Sequence, residues 1–161
     1  TEIIRKNELT QILTLLKEFY GEGAPPLAYF IVTKRINDRF FCEDDGRGGR
    51  GAQKGSLFNP PSGTIINDKV VSKNFDFFLI AQNVNQGTCT PTRYEAIFNG
   101  TKISEDVFWA LTYYQCFNYY NWSGAIRVPA CAMYAHKAAF MVGQNLAENP
   151  DESLAKKLYF L

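Results

Sequence analysis

The sequence contains a single histidine, His136, so no second imidazole is present to share a metal ion or a proton relay with it. It lies in an Ala-rich segment, ACAMYAHKAAFM (130–141). Read on its own residues, a lone His there is a side chain bonded to a backbone carbonyl beside an apolar face. Metal or acid–base chemistry would need partners. The carboxylates do not supply them in any readable pattern, since Asp and Glu fall mostly in turns and helix starts. Asp76, in FDFFLIAQ (75–82), comes nearest to a buried acid, and its place at a strand start points to the surface. Cys42, Cys89, Cys116 and Cys131 are scattered without CxxC spacing, which argues against a zinc site or a disulfide framework. They are expected to be reduced and mostly buried, because a free thiol packs as a small hydrophobe. No Walker loop is present. GRGGRG (46–51) is similar to RGG-type RNA contacts, but a flexible hairpin loop is the better reading, because Gly and charge suit a solvated turn.

Composition sets the frame for that chemistry. The 161 residues suffice for one domain with a real core, 46% are hydrophobic and 15% aromatic. A formal net charge of +1 excludes holding nucleic acid by a bulk positive field, so any such contact must be built from a few placed Lys and Arg. No apolar run approaches the roughly 20 residues that span a bilayer, and no secretory leader opens the chain. The first residue is Thr1 rather than Met, which is the pattern of a fragment or a processed product.

The elements that must position these residues follow from periodicity. Apolar residues from Ile3 to Phe19 keep helical spacing until Gly21 and Gly23. LAYFIVT (27–33), FDFFLIAQ (75–82) and RYEAIF (93–98) are β-prone, largely apolar runs that predict buried strands, with a shorter strand near RFF (39–41) and β-prone pieces in IIND and KVV. EDDGRGGRGAQKGS (43–56) and NPPSGT (59–64) read as a loop and a turn. Ser104, Glu105 and Asp106 predict a capped helix running through VFWALTYYQCFNYY, and Pro129 precedes a second one. The layout is one α/β domain, a mixed sheet flanked by helices.

Four segments in order carry a family resemblance: TKRINDRFF (33–41), NPPSGT (59–64), FDFFLIAQNVNQGTCTPTRYEAIF (75–98) and LTYYQCFNYYNWSGAIRVPACAMYAHKAAFMVGQNL (111–146). Together they resemble the C-terminal half of PIWI domains of the Argonaute/PIWI family. NWSGAIRVPA, YAHKAAFMVGQ and the closing YFL (159–161) are more similar to the PIWI clade than to the Argonaute clade. The resemblance implies an RNase H-like fold, with residues 1–161 forming the C-terminal portion of a PIWI domain and running to its natural end.

It also implies chemistry. Family members that cut a target RNA paired to a guide use two divalent metals, Mg²⁺ or Mn²⁺, held by three acids and a fourth ligand that is often His. His136 falls on that fourth position, while the motifs of the three acids do not occur here, so this chain alone is expected to be inactive. Lys34, Arg35, Asn37 and Arg39 match a segment that touches guide phosphates; Gln82, Gln86 and Thr88 match a second; Tyr119, Asn121 and Arg127 match a third. The neighbouring Tyr113, Tyr114, Phe117 and Tyr120 are expected to be core, from their helical packing spacing. In the PIWI clade the terminal carboxylate, here that of Leu161, helps a metal hold the guide 5′ phosphate. Argonautes place an Arg where this chain has Met141, and PIWI proteins commonly have His where it has Arg93. The partners implied are a guide small RNA, a target RNA and the rest of the PIWI/MID protein, with no membrane, in cytoplasm or nucleus. Three readings stay open: a guide-directed endoribonuclease to which this chain gives His136, a silencing effector that binds RNA without cutting, or a truncated PIWI product with no guide loading.

Overall fold

In a computed structural model, residue 3 and residues 5–44, 55–71, 75–154 and 156–161 are described. The GRGGRG run lies outside the described residues. Four strands form the main sheet: β1 (Ala28–Thr33), β4 (Thr64–Ile66), β5 (Phe77–Ile80) and β6 (Thr92–Asn99), in the order β1-β6-β5-β4. Each of its pairings is antiparallel. A two-residue ribbon joins β2 (Cys42–Glu43) to β3 (Leu57–Phe58). Helix α1 (Thr10–Tyr20) precedes the sheet, and α2 (Glu105–Gln115) and α3 (Ala130–Met141) follow it. The expected sheet with helices is present.

β5 is the centre of the core, and all four of its residues are buried. Alternation sends Phe77 and Leu79 to one face, where they cluster with Ala81, Tyr94 and Cys116 against Trp109 and Tyr113 of α2. The Phe77 and Tyr94 rings stack with centroids 4.7 Å apart. Phe78 faces the other way and meets Phe40 edge-on at 5.1 Å. Covering both faces is why the sequence reads as a continuous apolar run rather than an alternation.

Several expectations are corrected. Asp76 is buried, not at the surface: its Oδ1 accepts a hydrogen bond from the Ala96 backbone N–H at 2.8 Å. The reason is local, since β6 carries a bulge against β1 that shifts the register between Tyr29 and Phe30. Of Tyr113, Tyr114, Phe117 and Tyr120, only Tyr113 packs against the core; the other three are exposed. The helix ends at Gln115 because the chain turns there, the Ile126 N–H donating to the Cys116 carbonyl at 2.9 Å. Ser104 does precede α2 with extended backbone, but its hydroxyl bonds the Asp106 carboxylate instead of a backbone N–H, which holds that carboxyl below its usual range. The cysteines are free as expected, although only Cys89 and Cys116 are buried.

Candidate functional site

β1 and β5 both run antiparallel to the β6 strand between them, so both finish at the same end of the sheet. The residues that follow them therefore emerge side by side. Lys34 and Arg35 after β1, Gln82 after β5, Arg127 before α3, and Met133 and His136 on α3 line one cleft of about 420 Å³. Two bonds clip the segment carrying Arg127 to this sheet end. Gln82 Nε2 donates to the Ala125 carbonyl at 2.9 Å, and Thr92 Oγ1 donates to the Arg127 carbonyl at 2.9 Å. Among the described residues no carboxylate lines the cleft, and three cations, one amide and one imidazole face a shared space. Such a local cluster attracts a polyanion even in a near-neutral chain.

His136 is the seventh residue of α3 rather than a residue at its start, and it is exposed. It stands between the cationic cleft and a second one of about 500 Å³ lined by Lys137, Phe140, Met141, Phe160 and Leu161. Phe160 holds the end of the chain there by packing on Tyr134 of α3, with ring centroids 5.7 Å apart. His136 and Leu161 thus share a wall, with Met141 beside them.

The other expected contact residues lie around the cleft rather than in it. Gln86 and Thr88 are exposed on the loop between β5 and β6. Asn59 pins that loop: its amide donates to the Gly87 carbonyl at 2.8 Å, and its Oδ1 accepts from the Cys89 N–H at 3.1 Å. Arg39 turns back on its own loop, donating to the carbonyls of Ile36 at 2.9 Å and Asp38 at 2.7 Å. It still reaches Cys89, whose thiol is pushed up by burial while the guanidinium pulls the other way. Asn37 and Asn121 are exposed. Tyr119 lies under Lys137 Nζ, 5.3 Å from its ring centre, and the Tyr120 N–H donates to Tyr134 Oη at 2.8 Å, which fastens this turn to α3. Arg93 pairs with Glu95 at 3.8 Å.

Sequence reasoning missed the residues that hold these loops. Ser62, in what reads only as a turn, donates to the Ala81 carbonyl at 2.6 Å, bonds Tyr113 Oη at 2.9 Å, and gives its N–H to Asn83 Oδ1 at 2.8 Å. Gly63 beside it has φ +90°, which favours glycine, and a Cβ there would crowd the Tyr113 ring at 3.3 Å. The available signal was the compact NPPSGT turn itself, placed at the start of the half-buried strand β4.

Among the described residues no group of three His, Cys, Asp or Glu side chains could hold a metal ion. One imidazole does not fit Mg²⁺ or Mn²⁺ by itself, because such hard cations take several oxygen ligands. Among the described residues no helix is long and apolar enough to cross a membrane.

Comparison with known proteins agrees with this architecture. A family model described as the Piwi domain matches residues 2–147. Piwi-like protein 1 of Gallus gallus is 39% identical over 155 residues, covering 96% of this chain. The chain spans 17% of the length of that relative. The crystal structure of Drosophila Piwi matches with a TM-score of 0.84 and 38% identity, over 99% of this chain and 21% of that one. Kluyveromyces polysporus Argonaute, crystallised with a guide RNA, matches with a TM-score of 0.76 at 18% identity, over 98% of this chain and 21% of that one, a likeness of fold. With its RNase H-like α/β fold and this kinship to the PIWI proteins, the chain belongs to the Piwi-domain family.

Proposed function

We propose that this chain is the C-terminal part of a PIWI protein that binds a guide small RNA and silences target RNA. One observation carries the reading: Lys34, Arg35, Gln82, Arg127 and His136, drawn from four separated stretches of sequence, line a single cleft. The guide backbone lies across this cleft, with its phosphates on the three cations. Asn37, Arg39, Gln86, Thr88, Tyr119 and Asn121 extend the contact along the surrounding loops without reading bases. The compartment is cytoplasm or nucleus, where such RNAs meet their targets.

His136 would contribute one nitrogen to a Mg²⁺ or Mn²⁺ centre whose acids come from the rest of the domain. The metals would supply charge stabilisation for an in-line displacement at a target phosphate. This chain's part is to hold the imidazole at the mouth of the guide cleft. His136→Ala should lower target cleavage by the full-length protein by at least about 100-fold while guide affinity stays the same, because a misplaced ligand costs on that order. Where Leu161 is the last residue of the protein, its carboxylate would join a metal on the guide 5′ phosphate, next to Lys137.

The test is photocrosslinking of a 4-thiouridine-labelled guide to the full-length protein, with peptides mapped by mass spectrometry. Crosslinks are expected in 33–39, 82–90 and 119–127. Crosslinks confined to other parts of the protein would overturn the assignment.

A further inference from the structure

A third cleft, of about 550 Å³, opens on the other side of Gln82 and is lined by Ser62, Asn83, Tyr113, Phe117 and Trp122. Its chemistry differs from that of the cationic cleft. Trp122 is 60% exposed and Phe117 42% exposed, large apolar surfaces left facing water inside a concavity. The indole is set close over the backbone, since a Cβ on Gly124 would meet Trp122 Nε1 at 3.1 Å. Glycine at that position therefore keeps the aromatic wall where it is.

The two amides that line this cleft are each half used. Asn83 Oδ1 accepts from the Ser62 N–H at 2.8 Å, which leaves its amide N–H groups to donate. Gln82 Nε2 is spent on the Ala125 carbonyl at 2.9 Å, which leaves its Oε1 to accept. Adjacent residues thus offer one donor and one acceptor beside an aromatic face. That combination matches the edge and the flat side of a nucleobase, the way unpaired RNA bases are generally held.

We infer that this cleft takes one unstacked base of the guide strand. Gln82 lines both clefts, so a strand whose phosphates rest on Lys34, Arg35 and Arg127 passes within reach of it. The inference rests on the proposed guide-backbone cleft and adds a base contact to it. Stacking on Trp122 supplies affinity that tolerates any base, and the two amides supply a preference among them.

The experiment uses the full-length protein and a panel of guide RNAs, each with a single abasic site, titrated at several salt concentrations. One position, or two neighbours, should lose affinity about 5- to 150-fold, the range expected for one stacked base, while the others change little. Trp122→Ala should abolish that positional loss, and Trp122→Phe, which keeps a ring, should retain it. A flat scan with guide binding and its salt dependence intact overturns the base pocket and leaves the phosphate cleft standing. A positional loss that persists in Trp122→Ala assigns the base to another part of the protein and overturns it as well. Guide binding indifferent to replacement of Lys34, Arg35 and Arg127 would instead remove the backbone reading on which the inference rests.

Discussion

β5 and α1 are both strongly apolar, yet the structure treats them in opposite ways. Every residue of β5 is buried, and no residue of α1 is. Leu9, Ile12, Leu13, Leu16, Phe19 and Tyr20 form a regular stripe at helical spacing, but only Leu9, just before the helix, is inside. One link between this region and the sheet is Tyr29 Oη donating to Glu8 at 2.9 Å, which raises the tyrosine's pKa. The difference separates two kinds of hydrophobicity. That of β5 is satisfied within this chain and makes a rigid rod whose end presents Gln82. That of α1 is patterned for a cover that the described residues do not provide, as befits a chain spanning 17% of the length of a relative such as Piwi-like protein 1. We propose that the rest of the PIWI protein supplies that cover.

The largest expected effect tests this contrast directly. In the isolated chain, Phe77→Ala should cost about 3–5 kcal/mol of stability, as for other fully buried aromatics. Phe19→Ala should cost within about 0.5 kcal/mol, as for a surface site. Urea unfolding of both variants decides it. Equal losses would mean that α1 is packed as tightly as the core. In the full-length protein the Phe19 penalty should grow, since the stripe is then covered.

A second contrast concerns charge at the two places. Replacing Lys34, Arg35 and Arg127 together by Ala should lower the slope of log guide affinity against log salt by about two, each lost phosphate contact removing about 0.7. At about 0.1 M salt that slope corresponds to a loss of roughly 100-fold. Lys17→Ala, in the last turn of α1, should change neither. A triple variant with an unchanged slope would show that the cleft does not receive the strand.

Much of this was legible in the sequence where the signal was local. FDFFLIAQ announces β5 because a largely apolar run is what a strand covered on both faces requires, and RYEAIF announces β6 by its β-prone residues. The strand expected near 39–41 is displaced to Cys42–Glu43, since its partner Leu57–Phe58 offers only two pairs. KVV does not form a strand; Lys69 takes φ 58° there and Val70 is exposed. The site was legible only through resemblance, and then unevenly. Family segments pointed to Lys34, Arg35, Gln82, Arg127 and His136, which line one cleft, and to Arg39, which lies outside that lining with its guanidinium bonded to its own loop. Asn59 and Ser62 were invisible because their work is hydrogen bonding to backbone about 20 to 30 residues away, which leaves no trace in spacing.

That hidden layer gives a smaller effect. Asn59→Ala removes the bonds to Gly87 and Cys89 and should cost about 1–3 kcal/mol by leaving the buried Cys89 N–H unpaired. Amide hydrogen exchange should quicken across 83–90 while β5 keeps its protection. Exchange that quickens equally in α1 would mean that the variant loosens the whole molecule instead of one loop.

The smallest effect probes the core half of the contrast by pH. Cys116 packs with Phe77, Leu79, Ala81 and Tyr94, and burial, with a lesser contribution from nearby Cys131, pushes its thiol up from the ordinary 9.0 to about 12. A raised thiol pKa means that the folded state keeps a proton which the unfolded state begins to release near pH 9. Below that pH both states hold the proton and stability is indifferent to it. Above it the unfolded state gains, so stability falls as pH rises, until the folded thiol also ionises near 12. Burial raises Tyr94 in the same direction, so part of the alkaline loss remains when the thiol is gone. The Cys116→Ala variant should therefore lose stability less steeply than the parent between pH 9 and 10, by up to one proton in the slope. Urea unfolding at closely spaced pH values reads that slope. Parallel curves for the two proteins would show that Cys116 is not held in a low-dielectric core, and the packing drawn around Phe77 would then be too tight.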